Sequence, residues 1–389
     1  MKRRWGDRTE PSGIWRRWWF PSVVLISAVA LCLDTAFVKR PANYRVVTGA
    51  GWNIVRGDNP YAPELGLDRF KYSPLAGLLT IPFGVLAGGG LFVFLLTQCV
   101  LFFWGFQRWS RAAGYPLGLS SKLEGVALGS IALDLAVAIQ NAQVNLGIFG
   151  LMLLGAAQYA EGKCLRSGLV LSLATNLKLF PFTLVLCLLT GWNARFWVSV
   201  VGGTLAWFLL PAGLLGIERT FELHRQWVQL MWRDEDRPFI MLDVGSFLER
   251  HFGIDGVIRY PIGVAVGIAI GIICLVLFRR GELERLHRFL LPINGLYVLL
   301  FSYLSESPTS VLAVAGIFLI GSTAVEKSGG ARIYWAAWML ALVLVPGLYS
   351  DFAPPGIESW ARAIHLKTIG YLYVTTVLVI LFRASGNRV

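Results

Sequence analysis

Long apolar runs parted by short basic loops leave this chain few ways to fold. Runs at 20–38, 91–106, 123–139, 146–160, 196–215, 261–278, 289–304, 333–348 and 368–382 approach or reach the length of a membrane crossing. Hydrocarbon offers no hydrogen-bond partners, so each run must satisfy its own backbone as a helix. Shorter runs at 167–177, 180–190 and 311–323 complete an all-α membrane bundle of about twelve transmembrane helices. With 56% hydrophobic and 15% charged residues, the chain is too apolar for an ordinary soluble globule. We expect one integral membrane domain over residues 1–389.

The net charge of +12 is explained by topology, not by nucleic acid. Arg108, Arg111, Lys122, Arg195, Arg279, Arg280, Arg285, Arg288, Lys327, Arg332, Arg383 and Arg388 fall in loops or tails. The positive-inside rule puts them in the cytoplasm with the basic tail 1–19, so both termini are cytoplasmic. The run 20–38 is a span and not a signal peptide, because no small-residue cleavage site follows it and many more runs do. Two large loops, 39–89 and 216–260, then lie on the outer side. The run 74–87 is short and ends in Gly88-Gly89-Gly90. It reads as a juxtamembrane or re-entrant helix, since counting it as a span would send Arg108, Arg111 and Lys122 outside.

The stretch 39–75 gathers charge, aromatics and turn residues. Residues 43–55 can form an amphipathic helix, which Gly57-Asp58-Asn59-Pro60-Tyr61 then breaks. Phe70-Lys71-Tyr72-Ser73-Pro74-Leu75 opens a new helix with Pro74 in its first turn. Five cysteines, an odd number, give no disulfide framework, and the four scattered histidines give no metal spacing.

Ionisable residues in or at the ends of spans are costly and mark cavities or partners. Asp34 lies near the outer end of the first span, and Asp134 about two turns below Gln143-Val144-Asn145. Lys178 sits between two half-length runs in ATNLKLFPF, and Glu306 at an outer junction. These are expected to face one outward cavity beneath the first loop. Either Lys178 meets an anionic phosphate, with broken helices adding backbone donors, or it pairs with Asp134 or Glu306 and only holds the bundle. The loops also carry Tyr44, Arg45, Trp52, Arg56, Tyr61, Trp227, Trp232, Arg233 and Arg237. Such rings and guanidinium forks grip sugars and phosphates, and equally populate the interfacial belt of any membrane protein. Arg233-Asp234-Glu235-Asp236-Arg237 reads as a solvated salt-bridge patch.

Three motifs in order resemble the GT-C class of membrane glycosyltransferases, most closely glycosyltransferase family 87. They are NYRVVTGAGWNIVRGDNPYAPE followed by FKYSPL, then Gln143-Val144-Asn145 with Ala142 in place of a glycine, then Leu177-Lys178-Leu179-Phe180-Pro181. The resemblance covers roughly the first half of the chain; the rest matches in hydropathy only. It implies a GT-C-like bundle in a bacterial-type plasma membrane, with the active side facing outward. A sugar would pass from a polyprenyl-phosphate donor to a glycolipid or polysaccharide hydroxyl, as in mannosyl- and arabinosyltransferases of the cell envelope. No cofactor is implied, and a divalent metal is optional. A carboxylate would deprotonate the acceptor, and Lys178, then Arg45 or Arg56, would steady the leaving phosphate. Asn43, Tyr61, Lys71, Tyr72, Gln143, Asn145 and Glu306 are the further substrate-binding candidates. The family's first-loop aspartate falls on Asn43, whose amide is no base, so Asp34, Asp58 and Asp134 become the catalytic candidates. The same Asn43 suits a second reading, an inactive relative that binds a lipid-linked glycan. The broken run at Lys178 also suits a transporter, against which stand the absence of an inverted repeat and the large outer loops.

Overall fold

The computed structural model describes residues 14–62, 69–118, 120–233, 242–302, 307–327, 331–349 and 354–386. Every element among the described residues is helical. Helix α1 (Ile14–Asp34) continues through a π-helical turn, Thr35–Lys39, and stops at Arg40. Two helices of the first loop follow, α2 (Ala42–Arg56) and α3 (Pro74–Val85). The bundle proper starts with α4 (Gly90–Ala112), α5 (Ser121–Asn141), α6 (Asn145–Ala160), α7 (Cys164–Leu177) and α8 (Phe182–Leu189). It continues with α9 (Ala194–Leu209) and α10 (Ala212–Leu215). The second loop carries α11 (Ile217–Arg233) and α12 (Val244–Phe252). The chain closes with α13 (Arg259–Arg280), α14 (Leu283–Phe301), α15 (Val314–Glu326), α16 (Ala331–Leu344), α17 (Pro355–Ala363) and α18 (Leu366–Gly386).

Among the described residues, seven helical segments are long and apolar enough to cross a membrane: Phe20–Lys39, Gly90–Ala112, Ser121–Asn141, Ala194–Leu215, Gly256–Arg280, Thr309–Glu326 and Leu366–Gly386. The other expected crossings form helices that are shorter or, in α14, begin among charges. α6 has 16 residues, α7 has 14 and α8 has 8. At 1.5 Å per residue, α7 rises about 21 Å and α8 falls back about 12 Å, both short of a hydrocarbon core of about 30 Å. The tip that joins them, Lys178–Pro181, therefore stops inside the slab.

α15 is the hub. Its residues from Val314 to Ala324 are all buried, packed among α5, α14, α16 and α18. One end of the bundle is tied by basic side chains. Arg108 on α4 pairs with Glu161 after α6, and Lys163 reaches the same carboxylate at 2.7 Å. Arg288 on α14 meets Glu326 on α15 at 2.5 Å, and Arg285 donates to the Phe382 carbonyl of α18. This arginine-rich end lies opposite the first loop.

The first loop folds as the sequence pattern expects. Gly57, at φ 87°, ends α2, a conformation that glycine adopts without strain. Ser73 caps α3 by accepting from the Ala76 amide, with Pro74 following it. α2 and α3 touch through Gly51 and Gly77; a Cβ on Gly51 would lie 2.4 Å from the Gly77 carbonyl oxygen. The hairpin settles on a second apolar cluster that joins Val47, Ile54 and Leu75 to Ile148 of α6, Leu177 of α7, and Leu223 and Trp227 of α11. The second loop, for which the sequence reading named no helices, holds amphipathic ones. Thr220, Leu223, His224 and Trp227, all buried, repeat at helical spacing along α11. The five cysteines are free and buried.

Candidate active site

Short helices and a roofing hairpin bring three separated segments together. Lys178 is the C-cap of α7, in extended conformation at φ −154° and ψ 142°. Pro181 prevents the helix from running on, so α8 starts afresh at Phe182. The Lys178 ammonium donates to Asn145 Oδ1 at 3.0 Å, and Asn145 is the first residue of α6. It also lies 5.0 Å from the ring centre of Tyr72 and 5.7 Å from that of Phe180, within cation–π range. The Ser73 amide donates to the Leu177 carbonyl at 3.4 Å, which stitches the start of α3 to the end of α7. Lys178 is half-buried, so its charge is partly withdrawn from water.

Behind Lys178 runs a buried polar chain. Asn145 Nδ2 donates to Gln143 Oε1 at 2.6 Å and to Thr309 Oγ1 at 3.3 Å. The next residue, Ser310, donates its hydroxyl to Asp134 Oδ1. Asp134 in turn interacts electrostatically with Lys367 at the start of α18, and both are fully buried. Lys178 thus rests on Asn145 and not, as one expectation had it, on Asp134, whose charge partner is Lys367. The sequence reading missed Thr309, Ser310 and Lys367. A lysine within two residues of a span's end was the signal for the last of these.

The other candidates fall into distinct places. Tyr61 is buried in the roof against Phe70, and its hydroxyl donates to the Tyr72 carbonyl at 3.3 Å. Burial pushes that hydroxyl's pKa up, so it stays a proton donor. Lys71 is half-buried beside Tyr72. Arg56 is exposed in the last turn of α2. Asp58 is exposed, and its backbone is held from above: Arg219 of α11 donates to the Gly57 and Asp58 carbonyls at 2.8 and 2.7 Å. Asn43 donates its amide to the Asn141 carbonyl at the end of α5, 2.9 Å away. Asp34 is half-buried where α1 passes into its π turn, with no hydrogen bond to the Lys178 cluster among the described residues. Arg45 lines a separate cleft with Arg40. Glu306 and the acidic patch 234–236 lie outside the described residues, as does Arg237. The single outward cavity expected to hold Asp34, Asp134, Lys178 and Glu306 is instead, for the described members, a linked chain from Lys178 to Asp134, with Asp34 apart. No cluster of three or more metal-binding side chains occurs among the described residues.

The sequence model of glycosyltransferase family 87 matches residues 70–302, well over half of the chain. The chain belongs to glycosyltransferase family 87. The matched region of this family 87 chain includes Tyr72, Gln143, Asn145 and Lys178, and leaves out Asp34, Asn43 and Asp58. No curated protein sequence matches it. The crystal structure of ArnT from Cupriavidus metallidurans bound to undecaprenyl phosphate is similar at 16% identity and a TM-score of 0.39, over 92% of this chain and 76% of that one.

Proposed function

We propose that this protein transfers a sugar from a polyprenyl-phosphate donor to a hydroxyl of a glycolipid or polysaccharide, on the outer face of the membrane. The convergence of Tyr72, Asn145 and Lys178, from three separate motifs, on one half-buried ammonium carries the reading. Lys178 receives the lipid phosphate and stabilises the charge that grows on it as the sugar leaves. Its position at the tip of two short helices, below the roof, suits a headgroup that slides in from the bilayer. Asn145 aims the lysine, and the buried chain behind it fixes Asn145. A carboxylate then takes the acceptor proton. Asp134 is buried behind Ser310 and serves that support, which leaves Asp34 and Asp58 as the bases to test.

A second reading, a lipid-glycan binder without catalysis, is favoured by one observation. The Asn43 amide is used as a structural hook on the Asn141 carbonyl, a bond that an aspartate carboxylate cannot make.

One assay separates the two. The full chain in nanodiscs is given a panel of polyprenyl-phosphate sugars and membrane-lipid acceptors. The transferase reading expects turnover, a drop of about a hundredfold in kcat/KM for Lys178→Met, and a comparable loss at either Asp34→Ala or Asp58→Ala. Folded protein that transfers nothing from any donor, yet gains activity as Asn43→Asp, establishes the second reading.

A further inference from the structure

At the far end of α3 from Lys178 lies a second basic hollow. A cleft of about 250 Å³ is lined by Ala36, Arg40, Tyr44, Arg45, Gly88 and Leu91. It is separate from the Lys178 cluster. Ser73 before α3 is tied to Leu177, whereas Gly88 follows the other end of α3, and 12 helical residues put about 18 Å between those ends. Tyr44 props the cleft by donating to the Phe83 carbonyl at 3.0 Å. Arg40 holds a left-handed backbone at φ 47°, where glycine would sit more easily.

Topology does not account for these cations. Arg108, Arg285 and Arg288 tie the opposite end, as charge bias in membrane loops demands, while Lys39, Arg40 and Arg45 stand, with Arg56 and Arg219, at the end that this bias disfavours. Among the described residues neither Arg40 nor Arg45 enters an ion pair. The segments that supply the lining also expose apolar side chains: Phe37 and Val38 on one side, Val85 and Leu86 on the other. Two guanidinium forks set between hydrocarbon edges match an anion carried on an apolar tail. The volume falls just below the range of roughly 300–1,000 Å³ that encloses a whole drug-sized ligand, so it takes a headgroup and leaves the tail in the bilayer.

We propose that Arg40 and Arg45 form a second lipid-phosphate site, which holds the anionic headgroup of a membrane lipid beside the outer end of α1. The site stands whether or not Lys178 serves a transferase. Native mass spectrometry of the full chain in detergent, titrated with dioctanoyl phosphatidic acid, tests it. One bound copy is expected to weaken about tenfold in Arg40→Gln/Arg45→Gln, as loss of two solvent-exposed charge contacts implies, and to weaken less in Arg45→Lys, which keeps the charge without the fork. Lys178→Met is expected to leave this copy in place, so a failure of the donor assay and a failure here are told apart. Dioctanoyl phosphatidylcholine and inorganic phosphate are expected not to displace it. Wild-type affinity in the double variant, equal binding of phosphatidylcholine, or displacement by inorganic phosphate at matched concentration overturns the proposal.

Discussion

At the scale of single residues, the buried chain behind Lys178 depends on one hydroxyl. Ser310 makes the hydrogen bond to Asp134 Oδ1, while Asp134 Oδ2 makes none among the described residues. A buried carboxylate stripped of that bond keeps its desolvation cost and loses part of its compensation. Ser310→Ala is therefore expected to lower stability by about 1–3 kcal/mol, seen as a lower thermal midpoint in detergent. The same change made in an Asp134→Asn background is expected to cost less, because the two residues act together. Equal losses in both backgrounds would mean that the two do not cooperate. Tyr72 and Phe180 act differently: their rings lie against Lys178 and steady a cation that must also remain available.

At the scale of elements, loop helices are pinned by side chains from other helices. Arg219 clamps the turn after α2, and Thr368 of α18 donates to the Leu242 carbonyl before α12 at 2.9 Å. Asp243, capping α12, pairs with buried Arg259 at 3.3 Å. Between α17 and α18, His365 is buried, with its ring 5.3 Å from His251 and 6.2 Å from Phe247 of α12. Burial, joined by the charges of Arg250 and His251 and opposed by Asp243, lowers its pKa from 6.5 to about 4. The folded protein thus keeps His365 neutral where the unfolded chain takes up a proton. Stability is full above pH 6.5 and falls as the pH drops towards about 4. Hydrogen exchange across α12 is expected to speed up over that window. His365→Asn, which tolerates the left-handed backbone at φ 51° and does not titrate, is expected to flatten the profile. An unchanged pH dependence in that variant would assign the effect to another group.

At the scale of the whole molecule, the arginine-tied end and the roofed end give the bundle a polarity. Charge bias leads us to expect the arginine end in the cytoplasm. The native cysteines are buried, so single introduced thiols can report sidedness. Ala62→Cys, on the exposed roof, is expected to react with an impermeant maleimide on intact cells, and Lys163→Cys only after permeabilisation. Labelling in the reverse order would invert the topology and place the Lys178 hollow on the cytoplasmic side.

Much of this architecture was legible in the order of residues, because hydrocarbon forces apolar runs into helices and turn chemistry is local. The α2 helix, its stop at Gly57, the Ser73–Pro74 start of α3 and the break at Lys178 all follow from neighbours within a few positions. The motifs around Tyr72, Asn145 and Lys178 could likewise be picked out, though not the fact that they touch. Which long-range partner each polar group finds was settled only by packing. Lys178 took Asn145, Asp134 took Ser310 and Lys367, and α11 reached back to the first loop. A buried charge states that a partner must exist, since leaving it alone in low dielectric is too costly. Its identity depends on how helices far apart in sequence are set side by side, and no local rule carries that information.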